Sequence, residues 1–244
     1  MSHISPSLGQ TTEEQSQRFH WSWLLYLTVG LLVTAVFLFN ILQPVTVLPR
    51  HDLAPGFALR EESDQLFTSE DGRGRITLYN FTYSQCAGAL CPQGADHLAE
   101  TYRLLAQNPP AEIPVALVTI TVDPERDTAL VRQAYLAEHG GEQTAVSWHF
   151  LGGEPDRVRQ IVGGGFGIFY KAKPEDDTQP GIYFEPRLVL VDGMGIIRAE
   201  YRTLEPDPAI LLRDIHFVAD EARRSTGAAK LAYEAAQLFM CYPR

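Results

Sequence analysis

Two cysteines stand five positions apart in the stretch FTYSQCAGALCP, Cys86 and Cys91. A thiolate attacks disulfides and ligates soft metals such as Cu(I), so a close pair can cycle between dithiol and disulfide or hold one metal ion. The chain has three cysteines in all, the third being Cys241 near its end. Three cysteines make no disulfide framework, and two close together with one far away read as a site plus a loner. A single free cysteine is usually a small buried hydrophobe. Two within six residues, with Pro92 directly after, point instead to function.

The pair needs elements to position it. Ile76–Tyr83 (ITLYNFTY) is apolar, β-branched and aromatic, the pattern of a buried strand. After Cys91 and Pro92 a helical pattern runs over about 93–107, with Leu98, Tyr102, Leu104 and Leu105 on it. The cysteines therefore fall at a strand-to-helix turn, where open α/β sheets place their sites. Free N–H groups at the helix start favour the thiolate. On a regular helix, residues five apart point about 140° away from each other and rise about 7.5 Å. Cα atoms more than about 7 Å apart resist a disulfide. The sequence thus predicts a loop or bulge over 86–90, and Gly88 suits one.

The same alternation continues. Residues 65–68 read as a short strand before the turn cluster SEDGRG. Ile113–Asp123 reads as a central strand buried on both faces, and Thr128–Glu138 as a helix. VSWHFLG is a further strand. EPDRVRQIV is a helix ended by Gly163, Gly164 and Gly165. RLVLVDGMGIIRAEYR is a hairpin about Asp192–Gly195, PDPAILLRDIHFVADEA a helix, and about 227–240 a last helical stretch. This order predicts a layered α/β domain with a partly parallel central sheet.

Ahead of the domain, Trp21–Leu42 carries no charge. Its 22 residues span roughly 33 Å as a helix, against a bilayer core of about 30 Å. No small-residue cleavage site follows it, so it reads as an uncleaved anchor and not a signal peptide. The expected organisation is a disordered tail over 1–20, a transmembrane anchor over 21–43, a Pro-stiffened linker over 44–56, the α/β domain over 57–218 and a helical extension over 219–244. A short polar tail inside and a long domain outside is the usual outcome, which predicts an extracytoplasmic domain on the inner membrane. The formal net charge of −10 argues against nucleic-acid binding, which needs a basic face.

FTYSQC…CP, VTITVDPERDT, WHFLGG and LVLVDGMGIIRAEYR together resemble the Sco/SenC family, whose members are membrane-anchored copper chaperones and thiol proteins of cytochrome c oxidase assembly. The resemblance covers about residues 55–215, and Asp123–Thr128 is its most specific part. It implies a thioredoxin-like fold, a reducible pair at Cys86 and Cys91, copper bound there as Cu(I), and delivery to a copper-bearing oxidase subunit. Two positions depart from the family pattern. The pair is spaced C-x4-C where the family has C-x3-C. The family's copper-ligating His falls, counting back from Gly195, at Phe184, and no His occurs between His149 and His216. Two thiolates still suit Cu(I), whereas Cu(II) loses a nitrogen donor. Cys241 is a candidate substitute ligand if the extension folds back; its alternative is a membrane-facing or interfacial cysteine.

Other motifs read as structural. Asp127 is placed to cap the following helix and Pro124 to form a turn, with Arg126 a surface residue available to a partner. His149 sits inside a strand pattern, and His97 lies on another helix face from Cys91. The glycines 163–165 follow a helix and lack a Lys-Ser/Thr, so they form a turn and no phosphate cradle. Three functions stay open on these grounds: Cu(I) delivery, thiol–disulfide exchange with a partner's cysteines, and a non-catalytic assembly role. A peroxidase is disfavoured, because only Thr82 stands near the pair where a Thr and an Arg are needed.

Overall fold

The computed structural model describes residues 12–42, 47–86, 90–110, 113–140, 146–173, 181–203, 205–224 and 234, with side chains described outside 12–22, 39–42 and 90–93. The chain divides into two compact units, Met1–Thr46 and Val47–Arg244.

The first unit contains helix α1, Thr12–Leu42. It begins inside the stretch expected to be a disordered tail, so residues 12–20 are helical. Its described side chains run from residue 23 to 38 and are all exposed, among them Trp23, Leu27, Leu31, Val33 and Phe37. Among the described residues, no helix is long and apolar enough to cross a membrane.

The second unit is built on a five-stranded sheet. Its strands are β3 (Ile76–Thr82), β4 (Val115–Thr121), β5 (Ser147–Leu151), β8 (Leu188–Val191) and β9 (Ile197–Tyr201), in the order β5-β4-β3-β8-β9. β3, β4 and β5 are parallel, while β8 and β9 run antiparallel. The sheet is therefore mixed, as the sequence predicts. The remaining strands form two small hairpins: β1 (Ala58–Arg60) with β2 (Leu66–Thr68), and β6 (Tyr170–Ala172) with β7 (Ile182–Phe184). The second hairpin has no clear signature in the sequence, because its strands are three residues each and half-exposed.

The alternation of side chains along β3 and β4 sends each strand's residues to two cores. On one face, Leu78, Leu117, Phe150 and Leu190 meet Leu98, Tyr102 and Leu105 of α2 (Leu90–Gln107), Tyr135 of α3 (Ala129–His139), and Leu211, Ile215 and Val218 of α5 (Pro208–Arg224). On the other, Tyr79, Phe81, Val118 and Ile120 meet Phe57 and Leu59 with Val158, Ile161, Val162 and Phe166. The last four belong to helix α4 (Pro155–Arg159) and the π-helical turn 160–165 with its cap. That turn contains all three glycines of 163–165. Gly165 lies so close to Pro55 that an added Cβ would sit 2.8 Å from the proline ring.

The stretch expected to run as a linker, 44–56, departs from that reading at residue 47. Val47 and Leu48 are buried, and Leu53 bridges to Ile196 beside β9. Arg198, 2% exposed on β9, donates to the carbonyls of Leu48 (2.7 Å) and Pro49 (3.3 Å). It also pairs with Asp192 at 3.2 Å and Glu221 at 2.5 Å, and Arg50 reaches the same Glu221 at 2.8 Å. Prolines keep this segment extended, but an extended segment also docks on a sheet edge. The helical stretch expected at 227–240 lies outside the described residues.

Candidate thiol and metal site

β3 ends at Thr82, and the chain turns at once. The N–H of Cys86 donates to the carbonyl of Tyr83 at 3.2 Å, closing a β-turn with Ser84 and Gln85 at its corners. Cys86 is outside any helix, whereas Leu90 already begins α2. Cys91 is thus the second residue of α2, in its first turn, where Pro92 is tolerated because N–H groups there have no partner within the helix. The expected break from helical geometry between the cysteines is present at Cys86; residues 87–89 lie outside the described residues.

Cys86 is disulfide-bonded. It is half-buried and packs against the second core together with Tyr170, Ile182 and Phe184. Phe184 is the position where the family resemblance places a copper ligand. Its ring lies edge-on to that of Tyr83, 6.0 Å between centroids. The Tyr83 hydroxyl in turn accepts from the Ile182 N–H at 3.3 Å. The β6–β7 hairpin thus closes an apolar wall beside the cysteine turn. A narrow cleft lies between the end of β3, Gly94 and Ala95 of α2, and the segment Phe184–Leu188.

Asp127 is used otherwise than the sequence predicts. The cap of α3 is Thr128. The Asp127 carboxylate instead accepts from the Ser84 N–H (3.2 Å to each oxygen), from the Ser84 hydroxyl, and from the Thr121 hydroxyl at 2.5 Å. Burial, with the Asp123 carboxylate nearby, pushes the Asp127 carboxyl above its ordinary value against the opposing effect of these donors. Local spacing suggested a cap; the partner is 43 residues away in sequence and had no local signal. Asp123 pairs with Arg126 at 2.6 Å, so that arginine is engaged within its own turn.

Two histidines stand out in the sequence, His97 and His149. His97 is on α2, and its carbonyl accepts from Thr101. His149 is in the middle of β5, opposite Val118. Its Nδ1 stands 3.1 Å from Glu61 Oε2 and 3.8 Å from Glu62 Oε1, in the β1–β2 turn. These three residues are the one group of potential metal ligands among the described residues. Two carboxylates facing an imidazole are also accounted for as a polar contact that ties the hairpin to the sheet edge. Burial raises the Glu62 carboxyl, but His149 and the Phe150 N–H outweigh it and hold it below its ordinary value. The depressed value adds stability above pH 4.5, which is lost as pH falls through the folded-state value. Glu62→Gln should therefore cost on the order of 1 kcal/mol near neutral pH and nothing at about pH 2, read by urea unfolding at both. Equal losses at the two pH values would contradict this. Cys241 lies outside the described residues.

A family model described as SCO1/SenC matches residues 46–220. A SCO2-like protein of Rickettsia felis is 26% identical over 126 residues, which cover 51% of this chain and 56% of that protein. The chain spans about half the length of the curated relatives it matches. Among solved structures, Bradyrhizobium japonicum ScoI with copper bound superposes with a TM-score of 0.54 at 22% identity, covering 72% of this chain and all of the other. BsSco, described for a disulfide switch within the Sco family of cytochrome c oxidase assembly proteins, gives 0.57 at 20% identity over 71% of this chain and 99% of the other. At these identities the superpositions establish the thioredoxin-like fold.

Proposed function

The chain belongs to the SCO1/SenC family, and on that premise we propose that it is a membrane-anchored protein that assists assembly of a cytochrome c oxidase by binding Cu(I) between Cys86 and Cys91 and delivering it to a copper-bearing subunit. The observation that carries this reading is the disulfide at Cys86, formed on a turn directly before the helix whose first turn holds Cys91. Of the three cysteines in the chain, Cys91 is the partner we assign. Proteolysis of the oxidised chain without reductant should release Cys86 linked to Cys91; a link to Cys241 would remove the site.

The chemistry of the pair follows from its sulfurs. Reduction adds two electrons and two protons to the disulfide; the two thiols then lose their protons as the thiolates take Cu(I), a cation content with two soft ligands. Phe184 supports Cu(I) over Cu(II), since an apolar ring occupies the position where a nitrogen donor is expected. Phe184→His should restore Cu(II) binding. A direct ligand should add more than the ~10–100-fold that outer partners of metal ligands contribute. Charge-transfer absorption and electron paramagnetic resonance of the Cu(II)-loaded chain would read it, and an unchanged spectrum would oppose the placement of residue 184.

A second reading is favoured by the same disulfide. The dithiol passes two electrons to a disulfide on the partner, which becomes a dithiol while Cys86 and Cys91 become a disulfide again. This requires no third ligand. Incubation with the oxidised partner peptide, with and without Cu(I), separates the two: copper transfer without thiol exchange supports delivery, and exchange without copper retention supports reduction.

Anchoring is proposed from the uncharged run at 21–42 and from the exposed apolar side chains of α1 between Trp23 and Leu38. A helix apolar on every side needs either protein or lipid around it. The domain is placed outside the inner membrane, where disulfides persist. Protease added to spheroplasts should digest the domain; protection would reverse the orientation.

A further inference from the structure

We propose that Asp127 is a positioning residue for Cys86, holding the turn that presents the sulfur; this rests on the reading of Cys86 as a reactive thiol. The turn has two attachments. Tyr83, 4% exposed, is fixed in the second core on one side. On the other, Ser84 gives both its N–H and its hydroxyl to Asp127. Asp127 is itself fixed at two points, one on its carboxylate and one on its backbone. The Thr121 hydroxyl at the end of β4 donates to Oδ2, and Arg132 Nη1 of α3 donates to the Asp127 carbonyl at 2.6 Å. Arg132, 5% exposed, further holds the Phe150 carbonyl at 2.9 Å and the Glu61 carbonyl at 3.0 Å, so the clamp reaches across β4 and β5.

The cost of the arrangement indicates its purpose. Asp127 is fully buried, and among the described residues its carboxylate makes no ion pair. Removing a carboxylate from water is expensive, and the Arg132 guanidinium offsets this only at longer range, without a direct ion pair. What it obtains is three donors, two of them on the residue two positions before Cys86. A carboxylate accepts several hydrogen bonds at once, which no neutral side chain of that size does, so it can hold a backbone N–H and two hydroxyls together. A thiol that must meet a metal or a partner's sulfur needs a defined direction, and a turn of four residues gains it only from such ties.

The test uses the full-length chain and the variants Asp127→Ala, Asp127→Asn and Ser84→Ala. Two quantities are read: the equilibrium of the Cys86 disulfide against a glutathione couple, and the pH profile of Cys86 alkylation by iodoacetamide with Cys91 and Cys241 replaced by serine. Asp127→Ala should shift the disulfide equilibrium by about fivefold or more and displace the alkylation profile, since it frees three donors. Asp127→Asn, which keeps one acceptor oxygen, should recover part of both. Ser84→Ala removes only the hydroxyl bond and leaves the buried carboxyl in place, so it decides the matter if Asp127→Ala does not fold; a shift of about twofold is expected from it. Folded variants that all keep both quantities at the wild-type values would overturn the inference. A wild-type pair that never equilibrates with glutathione would instead count against the thiol-exchange function, and the alkylation profile, which needs only the Cys86 thiol, would still decide the role of Asp127.

Discussion

Reduced and given Cu(I), the full-length chain is expected to retain one equivalent, and the Cys86→Ser and Cys91→Ser variants to retain none. In the proposed site each sulfur is one of two ligands, and the Phe184 ring brings no donor to replace either. Loss of a direct ligand should exceed the ~100-fold upper range that outer partners contribute, which takes binding out of the measurable window in a competition with a Cu(I) chelator. Cys241→Ser should leave the stoichiometry unchanged. If Cys241→Ser lowers it, the extension supplies a third ligand, and the two-coordinate site proposed for Cys86 and Cys91 is wrong.

Arg198→Ala is expected to destabilise the domain by about 3–5 kcal/mol, measured by denaturant unfolding, because it leaves the buried Asp192 without its ion pair and the buried Glu221 with Arg50 alone. Arg198 is 2% exposed, and its partners Asp192 and Glu221 are 5% and 3% exposed. The same guanidinium also holds the Leu48 and Pro49 carbonyls, so the variant should expose the segment 47–50 to protease in addition. Arg198→Lys should recover little, since one ammonium cannot span two carboxylates and two carbonyls in a plane. A loss under about 1 kcal/mol would mean that the network is solvated, in which case its pairs are worth no more than surface ones. Glu221 makes the chain continuous in another respect: through Arg198 and Arg50 it ties α5 to the segment that enters the domain.

Both predictions bear on how far the chain could be read without coordinates. The parallel core was legible because β3 and β4 are buried on both faces, and their nearly continuous apolar runs have no other stable home. The turn at Cys86 was legible because helix geometry forbids two sulfurs five residues apart from meeting. Helices α2, α3 and α5 announced themselves by local spacing, and each begins and ends within three residues of the expected position.

The misreadings share one cause. Asp127 looked like a cap because its neighbours in sequence suggest a helix start, but its donors are Ser84 in the turn after β3 and Thr121 at the end of β4. Residues 47–54 looked like a linker because prolines report only backbone stiffness, and their partners, the Arg198 guanidinium and the backbone of residues 195–197, lie some 150 residues away. The β6–β7 hairpin left no trace because three-residue strands carry too little periodicity. Sequence by itself determined the order of the central strands and main helices, the apolar layers and the turn at Cys86, since each follows from local conformational preference and from the burial of apolar side chains. Only the tertiary structure decided which distant donors satisfy the buried carboxylates, because hydrogen-bond partners are selected by packed distance and chain spacing does not encode it.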